Sequence, residues 1–248
     1  MTPAKSQMTD LGNAASLPPA RRNAMARASE KIIDSASRLA AENANVVSEL
    51  LRGAEGFFEW QHYPKGDVYD SETHAQFYYH SHDGTAQEHG HFHTFLRAKG
   101  MPPDVTPVTH QGSDAQDWPA GPDGDDALTH FVGIRMDHYG VPTHLFTTNR
   151  WVTGETFYAA PDVIRMLDRF TVGQGGPSPA TNRWISAMLV LFRPQIETLL
   201  IRRDAVIDAH RATHEASGTD IFEDRDLNIA SICEISIIDQ IEWLGLLD

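Results

Sequence analysis

His80-Ser81-His82-Asp83-Gly84-Thr85-Ala86-Gln87-Glu88-His89-Gly90-His91-Phe92-His93 holds two alternating histidine runs on either side of an Asp-Gly turn signal. Successive side chains of a β-strand point to opposite faces. His80 and His82 therefore share one face of a first strand, predicted over 75–82. His89, His91 and His93 share one face of a second, predicted over 89–97. With Asp83-Gly84-Thr85 as the turn, the two strands form a hairpin. Its register decides what the histidines can do. If His82 pairs with His89, then His80 faces His91, Tyr78 faces His93, and all five imidazoles line one face. If His82 pairs with Glu88, parity sends the second group to the other face and leaves His80, His82 and Glu88 together. The first register is the favoured one, because imidazoles side by side need a shared reason and a metal ion supplies it.

Working outward, Pro18-Pro19 opens a helical region over 20–52, broken or in two pieces, with Ala24, Ala28, Ile32 and Ala36 at helical spacing. The aromatic run Phe57–Tyr63 reads as a strand, and Pro64-Lys65-Gly66-Asp67 as a turn. Residues 99–127 are rich in Pro, Gly and Asp and read as a long loop, a lid or disordered. A second hairpin is predicted from 128–137 and 143–152. A helix follows over 160–170, then a long helical region over 182–214 that Pro194 should kink or break, a strand over 227–235, and a helix begun by Ser236. Strands clustered between helices predict an α+β fold: an antiparallel sheet of five or six strands with flanking N- and C-terminal helices. Residues 1–18 are expected to be a disordered tail and residues 19–248 one domain.

Composition narrows the function. Of the 13 histidines in 248 residues, six lie between His74 and His93. Lys and Arg number 20 against 34 Asp and Glu, a net charge of −14, which repels phosphate backbones and anionic lipid. Nucleic acid and membrane are thus not expected partners. The single cysteine, Cys233, excludes a disulfide framework and any four-cysteine metal site. The N-terminal stretch lacks an apolar signal core, so the expected location is the cytoplasm.

The candidate metal ligands are His80, His82, His89, His91 and His93. Three imidazoles are the usual set when a coordination position stays open for water or substrate. All-imidazole sites take Fe(II) or Zn(II); iron implies O2 chemistry on a bound small molecule, zinc hydrolysis or hydration. Glu88 is a candidate carboxylate ligand, general base or acceptor that orients an imidazole, and His138 a second candidate catalytic group. Asp137 beside it either orients that ring or begins a turn. Tyr78, Arg97 and Arg135 are candidate substrate-binding residues. Two other readings stay open: a non-catalytic metal-binding or sensing protein, and a metal-free module for a small ligand.

Gly66-Asp67-Val68-Tyr69-Asp70, His74-Ala75-Gln76, Tyr79-His80 and Glu88-His89-Gly90-His91-Phe92-His93 together resemble a family of bacterial proteins classed as a domain of unknown function, from about residue 45 onward. That resemblance implies no activity. His80, His82, Glu88 and Gly140-Val141-Pro142-Thr143-His144 are partly similar to the cupin motif, which implies a jelly roll and a mononuclear metal. His91-Phe92-His93 also resembles the paired zinc ligands of α-type carbonic anhydrases, a resemblance that implies His130 as a third ligand.

Overall fold

The structure, a computed structural model, describes residues 12–82, 88–108, 127–173, 175–214 and 220–247. Its helices are α1 (Pro19–Ala41), α2 (Val46–Leu51), α3 (Arg150–Thr153), α4 (Ala160–Met166), α5 (Pro179–Leu191), α6 (Arg193–His214) and α7 (Ile237–Trp243). Its strands are β1 (Tyr63–Tyr69), β2 (Ala75–His80), β3 (Gly90–Arg97), β4 (Leu128–Met136), β5 (Pro142–Thr148) and β6 (Ile229–Glu234). The strands pair in sequence order, each antiparallel to the next, in one six-stranded sheet. The fold is therefore α+β as expected. A single meander is not the jelly roll that the cupin likeness implied.

Helical spacing explains the helices. Met25, Ala28, Ile32 and Leu39 form the buried stripe of α1. Asn45 caps α2 through a reciprocal pair with Ser48. The predicted break near Pro194 is a 71° bend between α5 and α6, with Pro194 placed in the first turn of α6, where its missing N–H costs nothing. No single helix among the described residues is long and apolar enough to cross a membrane.

One face of the sheet meets the helices. Phe77 and Tyr79 of β2, Phe92 and Leu96 of β3, Ile134 of β4, Leu145 of β5 and Cys233 of β6 join one core with Ile32 of α1, Trp184 and Ile185 of α5 and Leu199 of α6. Each large apolar side chain buried there contributes roughly 1.5–3 kcal/mol. The opposite face carries the residues in between: Tyr78 and His80, His91 and His93, then His144 and Phe146.

The first strand departs from expectation. The run Phe57–His62 is not a strand, and the residues read as a turn lie inside β1. Gly66 (φ +85°) and Asp67 (φ +60°) take up the left-handed backbone that a turn would use, but as a bulge: Tyr63 pairs with Tyr79 and Val68 with Phe77. β1 is an edge strand, where Pro64 needs no ladder partner. β5 also stops earlier than predicted, at Thr148, because Asn149 caps the short α3. Of the expected tail, residues 12–18 are described, and Asn13 caps a turn at Ala14–Ser16. The turn expected at Asp83-Gly84-Thr85, and residues 109–126 of the expected long loop, lie outside the described residues.

Candidate metal centre

The hairpin adopts the favoured register: His80 pairs with His91, Tyr79 with Phe92 and Tyr78 with His93. One potential ligand nitrogen from each of His80, His91 and His93 lies within 4.8 Å of the others, and all three residues are buried. His80 Nε2 and His91 Nε2 are 2.8 Å apart. His91 Nδ1 is 2.7 Å from Glu88 Oε1. An ionised carboxylate only accepts hydrogen bonds, so His91 carries its proton on Nδ1 and directs the Nε2 lone pair at His80. A carboxylate behind an imidazole is the usual way a metal-binding histidine is oriented. Burial pushes the Glu88 carboxyl up, but the hydrogen bond from His91 and the positive charge of Arg135 outweigh this and hold it below the ordinary range. Arg135 Nε is 3.2 Å from the other Glu88 oxygen.

At His80 and His93 the electrostatics favour neutral rings. Burial lowers His80 to about 2, with further lowering from His91, His82 and His62. Burial, with His130 and three other histidines, holds His93 well below its usual value. Imidazoles that stay uncharged near neutral pH keep their lone pairs for a cation.

Two further features shape the pocket. The first is a bulge in β4. Thr94 pairs with Val132 but Phe95 with His130, so Phe131 is an extra residue whose ring turns to Phe170 in the core. Simple alternation from Arg135 and Gly133 would put His130 on the helix face. The bulge reverses parity and brings His130 Nε2 to 2.9 Å from His93 Nδ1. The second is Gly133. A Cβ there would meet the Phe146 ring at 2.3 Å. Without one, that ring lies across β4 with its edge geometry toward His91 and His93, at 5.3 and 5.6 Å between centroids.

The remaining predicted residues fall in different places. His82 is at the rim, 4.8 Å between centroids from both His80 and His91, and stacked on Trp60 at 4.6 Å. His89, expected beside His91, points away from the triad. β3 begins only at Gly90, and the His89 ring is stacked on Phe57 with Nδ1 2.7 Å from the Tyr79 hydroxyl. Gly90 makes room for this, since a Cβ would meet that hydroxyl at 2.7 Å. His138 sits edge-on to His89, 5.6 Å between centroids, on the same side. Asp137 takes the second of its two expected roles, for its carboxylate accepts the N–H groups of Tyr139 and Val141 and builds the turn. Tyr78 packs beside the triad, 5.2 Å from His80 and 5.3 Å from His93. Arg97 donates to Gln76, whose amide donates to Asp67. Arg135 lies over the Phe146 ring as well as beside Glu88.

His62 was not singled out from the sequence. It stacks on Tyr78 at 3.6 Å, stands edge-on to His80 and is held by Asp67 at 3.0 Å. The signal lay in the aromatic run Phe57–Tyr63, which contacts the histidine hairpin through Phe57, Trp60 and His62 in turn.

A family model described as a domain of unknown function, DUF6969, matches residues 26–235. No curated protein and no solved structure matches the chain.

Proposed function

We propose, from the premise that the chain belongs to this DUF6969 family, that it is a metal-dependent enzyme acting on a small molecule, with Fe(II) or Zn(II) held by His80, His91 and His93. The observation that carries the reading is the buried triad itself, with Glu88 setting the tautomer of His91. Three neutral donors fit a divalent ion with coordination positions left over, and they leave its charge undiminished. Bound there, Zn(II) would supply Lewis acidity toward water or substrate, and Fe(II) redox chemistry with O2.

The chain's own residues have separate tasks in this scheme. Glu88 and His130 each hold one ligand ring by its second nitrogen. Phe95, Phe146 and Tyr78 wall the triad with apolar surface and keep bulk water from the ligand nitrogens. Arg135 and His82, partly exposed beside the triad, are placed to meet a substrate, Arg135 through any anionic group it carries.

The test uses Co(II) as a coloured stand-in for the ion. Protein loaded with Co(II) should show visible absorption bands that shift when azide is added, because an open position accepts the anion. Bands indifferent to azide would mean a closed site and would move the assignment to a non-catalytic metal-binding protein. No uptake of Co(II), Zn(II) or Fe(II) would end both readings.

A further inference from the structure

The second nitrogen of His91 has an obvious partner in Glu88, whereas that of His93 relies on another imidazole, His130. His130 reaches this position only through the β4 bulge. Bulges release backbone groups from the ladder, and a buried N–H without an acceptor is costly. The N–H of His130 is taken up by a side chain: it donates to Glu155 Oε2 at 2.6 Å, and the Thr129 hydroxyl donates to the same oxygen at 3.4 Å. Glu155 is carried alongside β4 because Thr156 N–H bonds to the Leu128 carbonyl.

We infer that Glu155 is a positioning residue of the metal centre: its carboxyl group pins the bulge that sets the His130 ring against His93. This rests on the reading of His93 as a ligand. The arrangement is hard to explain as ordinary packing. Glu155 is fully buried, and its Oε1 has no hydrogen-bond donor among the described residues. Burial raises its carboxyl to about 7, even though the charges of Arg203 and Arg150 and the hydrogen bonds from His130 and Thr129 work the other way. A carboxyl kept in such surroundings costs stability unless its acceptor oxygen is needed. Here that oxygen serves the His130 backbone donor at the bulge. By comparison, Glu88 acts on His91 directly, while Glu155 acts on His93 at one remove, through the backbone and ring of His130.

The test compares Glu155→Met with Glu155→Gln. Methionine keeps the volume and removes the acceptor; glutamine keeps an oxygen for the His130 N–H. Zn(II) affinity is measured by competition with a chromophoric chelator, and the ring nitrogens of His93 and His130 are followed by 15N NMR in metal-free protein. E155M should bind Zn(II) about 10–100-fold more weakly, as loss of a ligand's orienting partner does. E155Q should stay within about threefold of the unsubstituted protein. In E155M the His93 and His130 nitrogens should lose the shifts that mark their mutual hydrogen bond, and in E155Q keep them. Combining E155M with His130→Ala should weaken binding no further than H130A alone, because both act through one ring. Unchanged affinity and shifts in E155M, or additive losses in the double variant, would overturn the inference. Should the unsubstituted protein take up no Zn(II), the metal reading fails, and the metal-free 15N shifts alone decide whether Glu155 sets His130 against His93. Should E155M fail to fold, E155Q with disrupted His93 and His130 shifts would overturn the inference, and with retained shifts would uphold it.

Discussion

Phe92 and His93 are neighbours in the chain and sit on opposite faces of one sheet, both buried, with entirely different work to do. Phe92 packs against Trp184 of the helical layer, 6.0 Å between ring centroids. His93 faces His80, His91 and His130. The same strands thus build an apolar face that holds the fold and an imidazole face that costs stability to keep neutral and buried. What differs is the partner layer. Hydrophobic burial needs only surface to cover, whereas a buried imidazole needs a defined donor or cation for its lone pair and an acceptor for its N–H.

The contrast makes ranked predictions. Phe92→Ala should cost about 3–5 kcal/mol of stability in urea unfolding, as deletion of a buried aromatic does. His93→Ala in metal-free protein should cost less, about 1–3 kcal/mol, chiefly by leaving His130 without its partner, yet should abolish metal binding. If the histidine variant proved the more destabilised of the two without metal, the division of labour between the faces would be broken.

Acid should find the imidazole face first. His80 and His130 are held at about 2 and about 3, against 6.5 when unfolded. Below pH 6.5 the unfolded chain takes up protons at these rings and the folded chain does not. Stability is therefore present above that pH and lost as pH falls toward the folded values, at about 1.4 kcal/mol per pH unit for each ring. Metal-free protein compared at pH 7.5 and 5.5 should lose about 3 kcal/mol through these two residues. H130A should remove about 1.4 kcal/mol of that loss, and an unchanged urea midpoint between the two pH values would show that the rings are not buried in neutral form.

A smaller effect separates orientation from ligation. Glu88→Gln should weaken metal binding about 10–100-fold, leaving the metal-to-protein ratio at saturation unchanged. A ratio falling to zero would make Glu88 itself a ligand.

The register of the hairpin was legible because two runs of histidines at i, i+2 spacing flank one turn signal and leave few ways to pair. The helices were legible from their apolar spacing and caps. The first strand was hidden because its turn-forming residues, Gly66 and Asp67, are spent on a bulge. His130 was hard to place for the same reason: alternation along β4 assigns it the wrong face, and the extra residue that corrects this, Phe131, is a good strand former with no outward mark of a bulge. His89 failed in the other direction, since strand parity does not govern a residue just before the strand starts, and Tyr79 and Phe57 hold it instead. The need for Gly133 depends on Phe146 across the neighbouring strand and has no local signature at all.

The central claim is that His80, His91 and His93 hold an ion together. Its most direct test is elemental quantification by mass spectrometry on untagged protein purified without chelator or added metal, alongside His91→Ala prepared in parallel. The account predicts about one transition-metal ion per chain in the unsubstituted protein and less than about a tenth of that in the variant. Equal metal content in the two, or none in either after equilibration with Fe(II) and with Zn(II), would contradict it.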